Sequence, residues 1–291
     1  MQQLVSVLLI GMAAAACQPG QKSTTESETS TAVESAPIPY DLTQPADRYK
    51  LPADLTEISG LSYYKPGRLA CIQDELAVVF IYDLAQRRVR DEHVFGKKGD
   101  YEGVEFVDGE LYALRSDGEI YHFRPTDTDG VKILGGGGPQ VKHIKIDLPG
   151  KNDMEGLGYD PKLDALLLAT KSADRRGTDK QIYFYGLKGK ALYQGPLLKQ
   201  ADLQAFVGAD KSEVKPSGLA VHPQTGNYYV LASGGRRLVV MTRNGKLLSS
   251  VALAPKLFRQ PEGICFAPDG TLFIASEGDG GSGTILRFVM K

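Results

Sequence analysis

The sequence lacks the marks of several functional classes. Its 34 Lys and Arg residues against 35 Asp and Glu residues give a formal net charge of −1, and no long basic run is present, so no nucleic-acid partner is expected. The four histidines are scattered without an HExxH motif, and no G-x-S-x-G motif occurs. The glycine-rich stretch at 134–140 lacks the Lys-Ser/Thr pair of a phosphate-binding loop. The familiar motifs of zinc peptidases, α/β-hydrolases and P-loop proteins are therefore missing.

Long hydrophobic runs are also missing, and the one apolar run is short. It extends from Leu4 to Ala16, which is too short for a transmembrane helix, and it ends in small residues as a secretory signal does. Cys17 directly follows a run of four alanines, and Ala14-Ala15-Ala16-Cys17 resembles a bacterial lipobox. We therefore expect residues 1–16 to be a signal peptide and Cys17 to carry a lipid that anchors the chain to a membrane. The alternative is an ordinary cleaved signal followed by an incidental cysteine.

Residues 17–39 are rich in Ser, Thr and Glu and nearly free of bulky apolar side chains. Such a segment cannot bury enough surface to fold, so we expect a disordered tether followed by a folded domain over residues 40–291. Two further cysteines, Cys71 and Cys265, lie in that domain. They could pair in an oxidising envelope, but both lie in apolar runs, which favours buried free thiols.

One phrase occurs five times in the domain: a small or acidic residue, a glycine and an aliphatic residue, followed by a short strand and a turn. The repeated glycines lie 43 to 62 residues apart, a period that suits the four-stranded blade of a β-propeller. Glycine allows neighbouring backbones to approach closely around an axis. The repeated glycines are Gly60, Gly103, Gly156, Gly218 and Gly263.

Short β-rich runs between turn residues predict four strands in each of the first four repeats and three in the last. Residues 48–51 can supply the missing outer strand and so remove the open sheet edges. The length of the third repeat indicates a helical insertion around residues 203–208. We therefore predict an all-β fold, a five-bladed β-propeller of four-stranded antiparallel blades closed by an N-terminal strand. A generic β-sandwich with coincidental repeats is the alternative.

Equivalent positions of a propeller converge on one rim of the central channel. The residues before the repeated glycines are Ser59, Glu102, Glu155, Ser217 and Glu262. Carboxylates this close repel each other, so the ring requires either a bound cation or neighbouring basic side chains. Oxygen ligands without histidine favour calcium over zinc, and Asp74 and Glu277, at the ends of second strands, are further candidate ligands. Alternatively, Arg115 or Lys171, also at second-strand ends, neutralises the glutamates.

The repeated phrases resemble those of the SdiA-regulated family, bacterial envelope proteins that are distantly similar to NHL-repeat propellers. The resemblance extends over roughly residues 54–291, and it implies a five-bladed propeller, a calcium ion in the channel and no established enzymatic activity. The calcium ligands that it implies are Glu102, Glu155 and Glu262, with Glu277 as the acid retained after a second strand. Elsewhere the family often has an acid after the second strand, and the residues found there are Ser116, Lys171 and Ser233.

Two functions follow from these observations. The first is a monomeric, lipid-anchored module of the bacterial envelope, facing the periplasm or the cell surface, that binds a small molecule or protein at the channel mouth with calcium as its cofactor. The second is a metal-dependent hydrolase of lactones or phosphoesters, with Lys171 or Asp74 as general base. The sequence favours the first, because it contains no recognisable pairing of a nucleophile with a base.

Overall fold

The computed structural model describes residues 37–126, 140–148, 153–171, 179–207 and 213–291. The predicted signal peptide, Cys17 and the tether up to residue 36 lie outside the described residues. None of the helices formed by the described residues has the length and apolar character that crossing a bilayer requires.

The described residues form short strands wherever apolar runs alternate with turn residues, as β-propensity and turn chemistry dictate. The strands are β1 (Asp47–Lys50), β2 (Ile58–Lys65), β3 (Arg68–Gln73), β4 (Val78–Asp83), β5 (Arg88–Val94), β6 (Tyr101–Val107), β7 (Glu110–Arg115), β8 (Ile120–Phe123), β9 (Lys142–Ile144), β10 (Met154–Asp160), β11 (Ala165–Thr170), β12 (Lys180–Gly186), β13 (Ala191–Leu198), β14 (Lys215–Val221), β15 (Tyr228–Gly234), β16 (Arg237–Met241), β17 (Leu247–Ala252), β18 (Pro261–Phe266), β19 (Leu272–Ser276) and β20 (Thr284–Phe288). The helices are a 3-10 turn (Ala53–Leu55) and α1 (Gln200–Val207).

The strands form five four-stranded antiparallel sheets. Four of them are meanders of consecutive strands: β2 to β5, β6 to β9, β10 to β13 and β14 to β17. The first strands contact one another in a closed cycle, from β2 through β6, β10, β14 and β18 back to β2. This cycle defines a five-bladed β-propeller with the first strand of each blade innermost. The predicted fold is confirmed, and the β-sandwich alternative is wrong.

The fifth blade takes its outer strand from the other end of the chain. β1 pairs antiparallel with β20, and Asp47 faces Arg287 in the ladder. The Arg287 Nε also donates to Asp47 Oδ2 at 2.7 Å, and the Leu51 N–H donates to the Gly283 carbonyl at 2.8 Å. The predicted closure by an N-terminal strand is confirmed. It joins the chain ends and pairs an edge that would otherwise be open.

The hydrophobic core lies between neighbouring blades. One cluster joins blade five to blade one and contains both Cys71 and Cys265, which are buried free thiols, as predicted. The helix α1 connects blades three and four, so a helical insertion at this point is also confirmed, although the predicted end at Gly208 lies outside the described residues.

Candidate functional site

The inner strands carry a β-bulge at the same place in all five blades. In each blade the ladder between the first and second strands skips the residue directly before the repeated glycine. In blade two, for example, Tyr101 pairs with Arg115 and Gly103 pairs with Leu114, which leaves Glu102 outside the ladder. A bulge bends its strand and redirects the extra side chain. The skipped residues are Ser59, Glu102, Glu155, Ser217 and Glu262.

The glycine after each bulge permits the blades to approach one another. A Cβ atom on Gly218 would lie 2.8 Å from the backbone oxygen of Glu262, and one on Gly103 would lie 2.6 Å from the Cβ of Leu157. These separations are shorter than real side chains allow, so a glycine is needed where one backbone crowds the next. The bulge therefore aims a side chain at the axis, and the glycine allows the ring to close around it.

The five skipped residues line one cavity on the propeller axis. Its volume is about 10 Å³, close to the space that a single water molecule needs. Glu155 and Glu262 are only 3% and 6% exposed, respectively. The structure thus brings three glutamates from distant parts of the chain to one narrow constriction, which we call the axial ring.

The two serines of the axial ring connect blades to each other. The Ser59 Oγ donates to the Tyr101 carbonyl at 2.7 Å, from blade one to blade two. The Ser217 Oγ donates to the Pro261 carbonyl at 2.6 Å, from blade four to blade five. Because both hydroxyl protons are donated to backbone carbonyls, the titratable groups of the axial ring are its glutamates.

The ammonium group of Lys171 lies beside these glutamates. Lys171 contacts Glu155 as a hydrogen-bonded ion pair. Burial lowers the pKa of Lys171, but the hydrogen bond and charge of Glu155, with the charges of Glu262 and Glu102, outweigh it and raise the pKa overall. Lys171 therefore stays protonated at neutral pH, and its charge acts on all three glutamates.

The other two glutamates of the axial ring are hard to ionise. Burial, followed by the charges of Glu155 and Asp100, raises the pKa of Glu102 to about 10. Burial, with the charges of Glu155 and Glu277, raises the pKa of Glu262 to about 8. Burial also raises the pKa of Glu155, but the hydrogen bond and charge of Lys171 oppose that rise. Near neutral pH the protonated forms of Glu102 and Glu262 are therefore favoured beside the contact of Glu155 with Lys171, which reduces the negative charge of the ring.

A second ring of residues lies at the ends of the second strands: Asp74, Ser116, Lys171, Ser233 and Glu277. Backbone hydrogen bonds show that three of these positions are equivalent. The N–H groups of Ser116, Lys171 and Glu277 donate at 2.8, 2.8 and 2.9 Å to the carbonyls of Asp100, Asp153 and Gln260, respectively. Each acceptor stands two residues before a glutamate of the axial ring. Lys171 thus occupies, in blade three, the position that Glu277 occupies in blade five.

The carbonyl acceptors reveal acids that the sequence analysis missed. Asp100 and Asp153 precede Glu102 and Glu155 by two residues, and Glu57 precedes Ser59 by the same spacing. The charge of Asp100 helps to raise the pKa of Glu102, after burial and the charge of Glu155. In the first three repeats an acid stands two residues before the residue that precedes the repeated glycine. This recurrent spacing is the sequence pattern from which these further acids could have been predicted.

Three acidic residues lie close enough to act on each other's pKa where blade five meets blade one: Glu57, Asp74 and Glu277. We call these three residues the acidic mouth. The Gly278 N–H donates to the Thr56 carbonyl at 2.9 Å, which connects the end of blade five to the start of blade one. Burial, then the charges of Asp74 and Glu57, raises the pKa of Glu277 to about 7. Burial and the charge of Glu57 also raise the pKa of Asp74. The charge of Lys171 opposes this rise for Glu277, but burial and the repulsion between the carboxylates outweigh it.

One atom of the acidic mouth is an unmet acceptor. Asp74 Oδ1 is buried and has no hydrogen-bond partner among the described residues. A buried acceptor without a donor is costly, and an external donor at this place would remove that cost.

Arg115, the other basic side chain named as an alternative, pairs with acids of its own hairpin instead. The Arg115 guanidinium forms ion pairs of 2.6 Å with both Asp117 and Glu119, and it donates to the Tyr121 hydroxyl at 2.7 Å. These partners belong to the hairpin between β7 and β8, so local pairing draws the side chain away from the axis. Lys171 alone makes the predicted contact.

The axial ring in this arrangement does not fit a calcium ion. Calcium takes about 6–8 oxygen ligands at 2.3–2.6 Å. Among the described residues, no three His, Cys, Asp or Glu side chains are grouped closely enough to hold a metal ion. Glu155 is engaged by Lys171, and Glu277 stands in the second ring rather than in the axial cavity. The expectation of a calcium ion on Glu102, Glu155, Glu262 and Glu277 thus stays a prediction that this geometry does not favour.

The fold and the site define a class of protein, a five-bladed propeller with an acidic constriction on its axis. The chain belongs to the SdiA-regulated family, whose sequence profile matches residues 47–279. The matched residues extend from the closing strand β1 to the loop after β19, which is most of the propeller.

Solved structures with the same fold include several enzymes. Glutaminyl cyclase from Myxococcus xanthus aligns with a TM-score of 0.59 at 14% identity, over 85% of this chain and 96% of the other. The PQQ-bound aldose sugar dehydrogenase from Streptomyces coelicolor gives 0.53 at 14% identity, over 85% and 98%, and a luciferin-regenerating enzyme gives 0.52 at 15%, over 84% and 95%. At such identities these likenesses establish the propeller fold alone. No curated protein sequence matches the chain.

Proposed function

We propose that the chain is a lipid-anchored module of the bacterial envelope that binds a cationic group of a ligand or partner protein at the acidic mouth of its channel. The observation that carries this proposal is the mouth itself. Glu57, Asp74 and Glu277 repel one another, and Asp74 Oδ1 is buried without a donor among the described residues. An ammonium or guanidinium group supplies both the charge and the hydrogen bonds that this arrangement needs.

The axial constriction and the mouth play different parts in this proposal. The cavity on the axis has room for about one water-sized particle, which is too little for an organic ligand. A lysine or arginine side chain therefore binds above it, at the mouth, where Glu277 is only partly buried and Glu57 is exposed. The scaffold presents these acids on rigid strand ends, as binding sites of propellers require.

The binding proposal is tested with a tetralysine peptide as the probe, titrated into the chain from residue 18 onward, which retains every described residue. We expect binding that weakens as salt rises, because the contacts are between charges. The double variant Asp74→Asn with Glu277→Gln should lose most of the binding. A matched control, Glu92→Gln on the exposed face of β5, should bind like the wild type. Equal binding by all three proteins, or none by the wild type, contradicts the proposal.

The anchor is tested separately in a bacterial host grown with radiolabelled palmitate. We expect the wild-type chain to carry the label and to appear in the membrane fraction, whereas the Cys17→Ser variant should do neither. An unlabelled wild-type chain released in soluble form would instead fit the alternative of an ordinary cleaved signal.

The hydrolase alternative has no specific observation behind it. Lys171, one of its two candidate bases, is held by Glu155 and stays protonated, which makes it unsuited to accept a proton. The enzymes of similar fold share only 14–15% of their residues with this chain, and their activities are not carried over.

A further inference from the structure

Lys171 is the basic residue of the second ring, and its side chain reaches a glutamate of the axial ring. Its backbone is fixed by the hydrogen bond from its N–H to the Asp153 carbonyl at 2.8 Å, at the end of the buried strand β11. Its ammonium contacts Glu155, whose side chain is 4% exposed. The charge of Lys171 acts on Glu102 and Glu262 from the same place. The charge of one ammonium group thus acts on three carboxyl groups from three different blades.

A divalent ion and this ammonium compete for the same place. An ion bound to Glu155 would have to lie about 2.3–2.6 Å from a carboxylate oxygen, and Lys171 already contacts such an oxygen. The cavity holds about one water-sized particle, so the two cations cannot stand side by side without strong repulsion in a poorly solvated site.

We propose that the Lys171 ammonium is the resident cation of the axial ring and takes the place of a divalent metal ion in this chain. The ring is then balanced by the protein itself, and the propeller closes without a bound metal. The proposal does not rest on binding at the acidic mouth, which is assigned to Asp74, Glu277 and Glu57, although the charge of Lys171 also acts on Glu277.

The proposal predicts that removal of the lysine creates a calcium site. In Lys171→Met the ammonium is replaced by a neutral side chain of similar length, which frees Glu155 to turn, with Glu102 and Glu262, toward one ion. These described side chains do not form a metal-binding group in their present positions. In Lys171→Glu, an acid stands where blade five has Glu277, which adds a ligand and a charge. Because the charge of the ligand set tunes calcium affinity, we expect both variants to bind Ca²⁺ at least about ten-fold more tightly than the wild type, with Lys171→Glu the tighter of the two.

Isothermal calorimetry with Ca²⁺ alone measures these affinities, and the melting temperature with Ca²⁺ or with a chelator gives a second readout. The double variant Lys171→Glu with Glu102→Gln should lose the gained affinity, which assigns the new site to the axial ring. Arg115→Gln is the matched control, because its cation also stands at a second-strand end but pairs with Asp117 and Glu119; it should bind Ca²⁺ like the wild type.

Two outcomes overturn the proposal. One is a wild type that binds Ca²⁺ as tightly as both lysine variants, since Lys171 would then not compete with the ion. The other is a lack of gain in either folded variant, since the ring would then not be a latent cation site. Neither outcome bears on tetralysine binding at the mouth, so failure of this proposal is distinguishable from failure of the proposed function.

Discussion

Glu262 should make the propeller less stable as pH rises from about 4.5 to about 8. Burial and the charges of Glu155 and Glu277 raise the pKa of this carboxyl from 4.5 to about 8. A carboxyl whose pKa is higher in the folded state gives its full stabilisation below pH 4.5, and this is lost as pH rises through the folded pKa. One pKa unit corresponds to about 1.4 kcal/mol, so Glu262 alone should cost the protein about 2–3 kcal/mol between pH 6 and pH 8.5.

The variant Glu262→Gln isolates this contribution, because glutamine has the shape of the protonated acid but does not titrate. Urea unfolding at pH 6 and at pH 8.5 gives the free energy of unfolding of both proteins. We expect the wild type to lose about 2 kcal/mol more than the variant over this range. Glu102 is present in both proteins, so its own titration cancels in the comparison. An exposed control, Glu92→Gln, should follow the wild type. Equal losses in the wild type and Glu262→Gln would refute the electrostatic account of the axial ring.

Two further changes test the architecture that positions the ring. Gly218→Ala should lower the free energy of unfolding by about 1–3 kcal/mol, because its Cβ would meet the Glu262 backbone oxygen at 2.8 Å. The control Gly186→Ala should be tolerated, since its Cβ would lie 3.6 Å from the nearest atom. Similar urea midpoints for the two variants would contradict this account. Tyr49→Ala should lower the free energy of unfolding by about 3–5 kcal/mol. The substitution removes a 5%-exposed aromatic side chain of the closing strand, which packs edge-on against Tyr82 with ring centroids 6.2 Å apart. A change below about 1 kcal/mol in the same assay would mean that β1 does not close the propeller.

The repeated glycines predict the blades because they act through the backbone. Gly103 and Gly218 are required wherever one inner strand crowds the next, and this requirement is independent of the side chains around them. The residue before each glycine is likewise placed by a backbone feature, the shared bulge. Their convergence on the axis could therefore be predicted from spacing alone.

The direction of long side chains could not be predicted in the same way. Arg115 and Lys171 both stand at second-strand ends. Arg115 forms ion pairs with Asp117 and Glu119 in its own hairpin. Lys171 instead contacts Glu155. The difference depends on which acids a short loop presents, and a strand pattern does not contain that information. The sequence likewise does not show which groups the hydroxyls of Ser59 and Ser217 contact, and in the structure backbone carbonyls of the next blade accept their protons.

The charge balance of the ring also depends on burial that a sequence does not display. Three glutamates and one lysine suggest an excess of negative charge, but desolvation raises the pKa of Glu102 and Glu262 to about 10 and about 8. The acidic mouth is less buried than the axial ring, since Glu277 is partly buried and Glu57 is exposed.

A crystal structure of the wild-type chain grown with calcium in excess tests the central claim most directly, because anomalous scattering locates a bound ion on the axis. We predict that the Lys171 Nζ lies against Glu155 and that no ion is bound between Glu102, Glu155 and Glu262. A calcium ion coordinated by these three glutamates, with Lys171 turned out to solvent, would contradict the account.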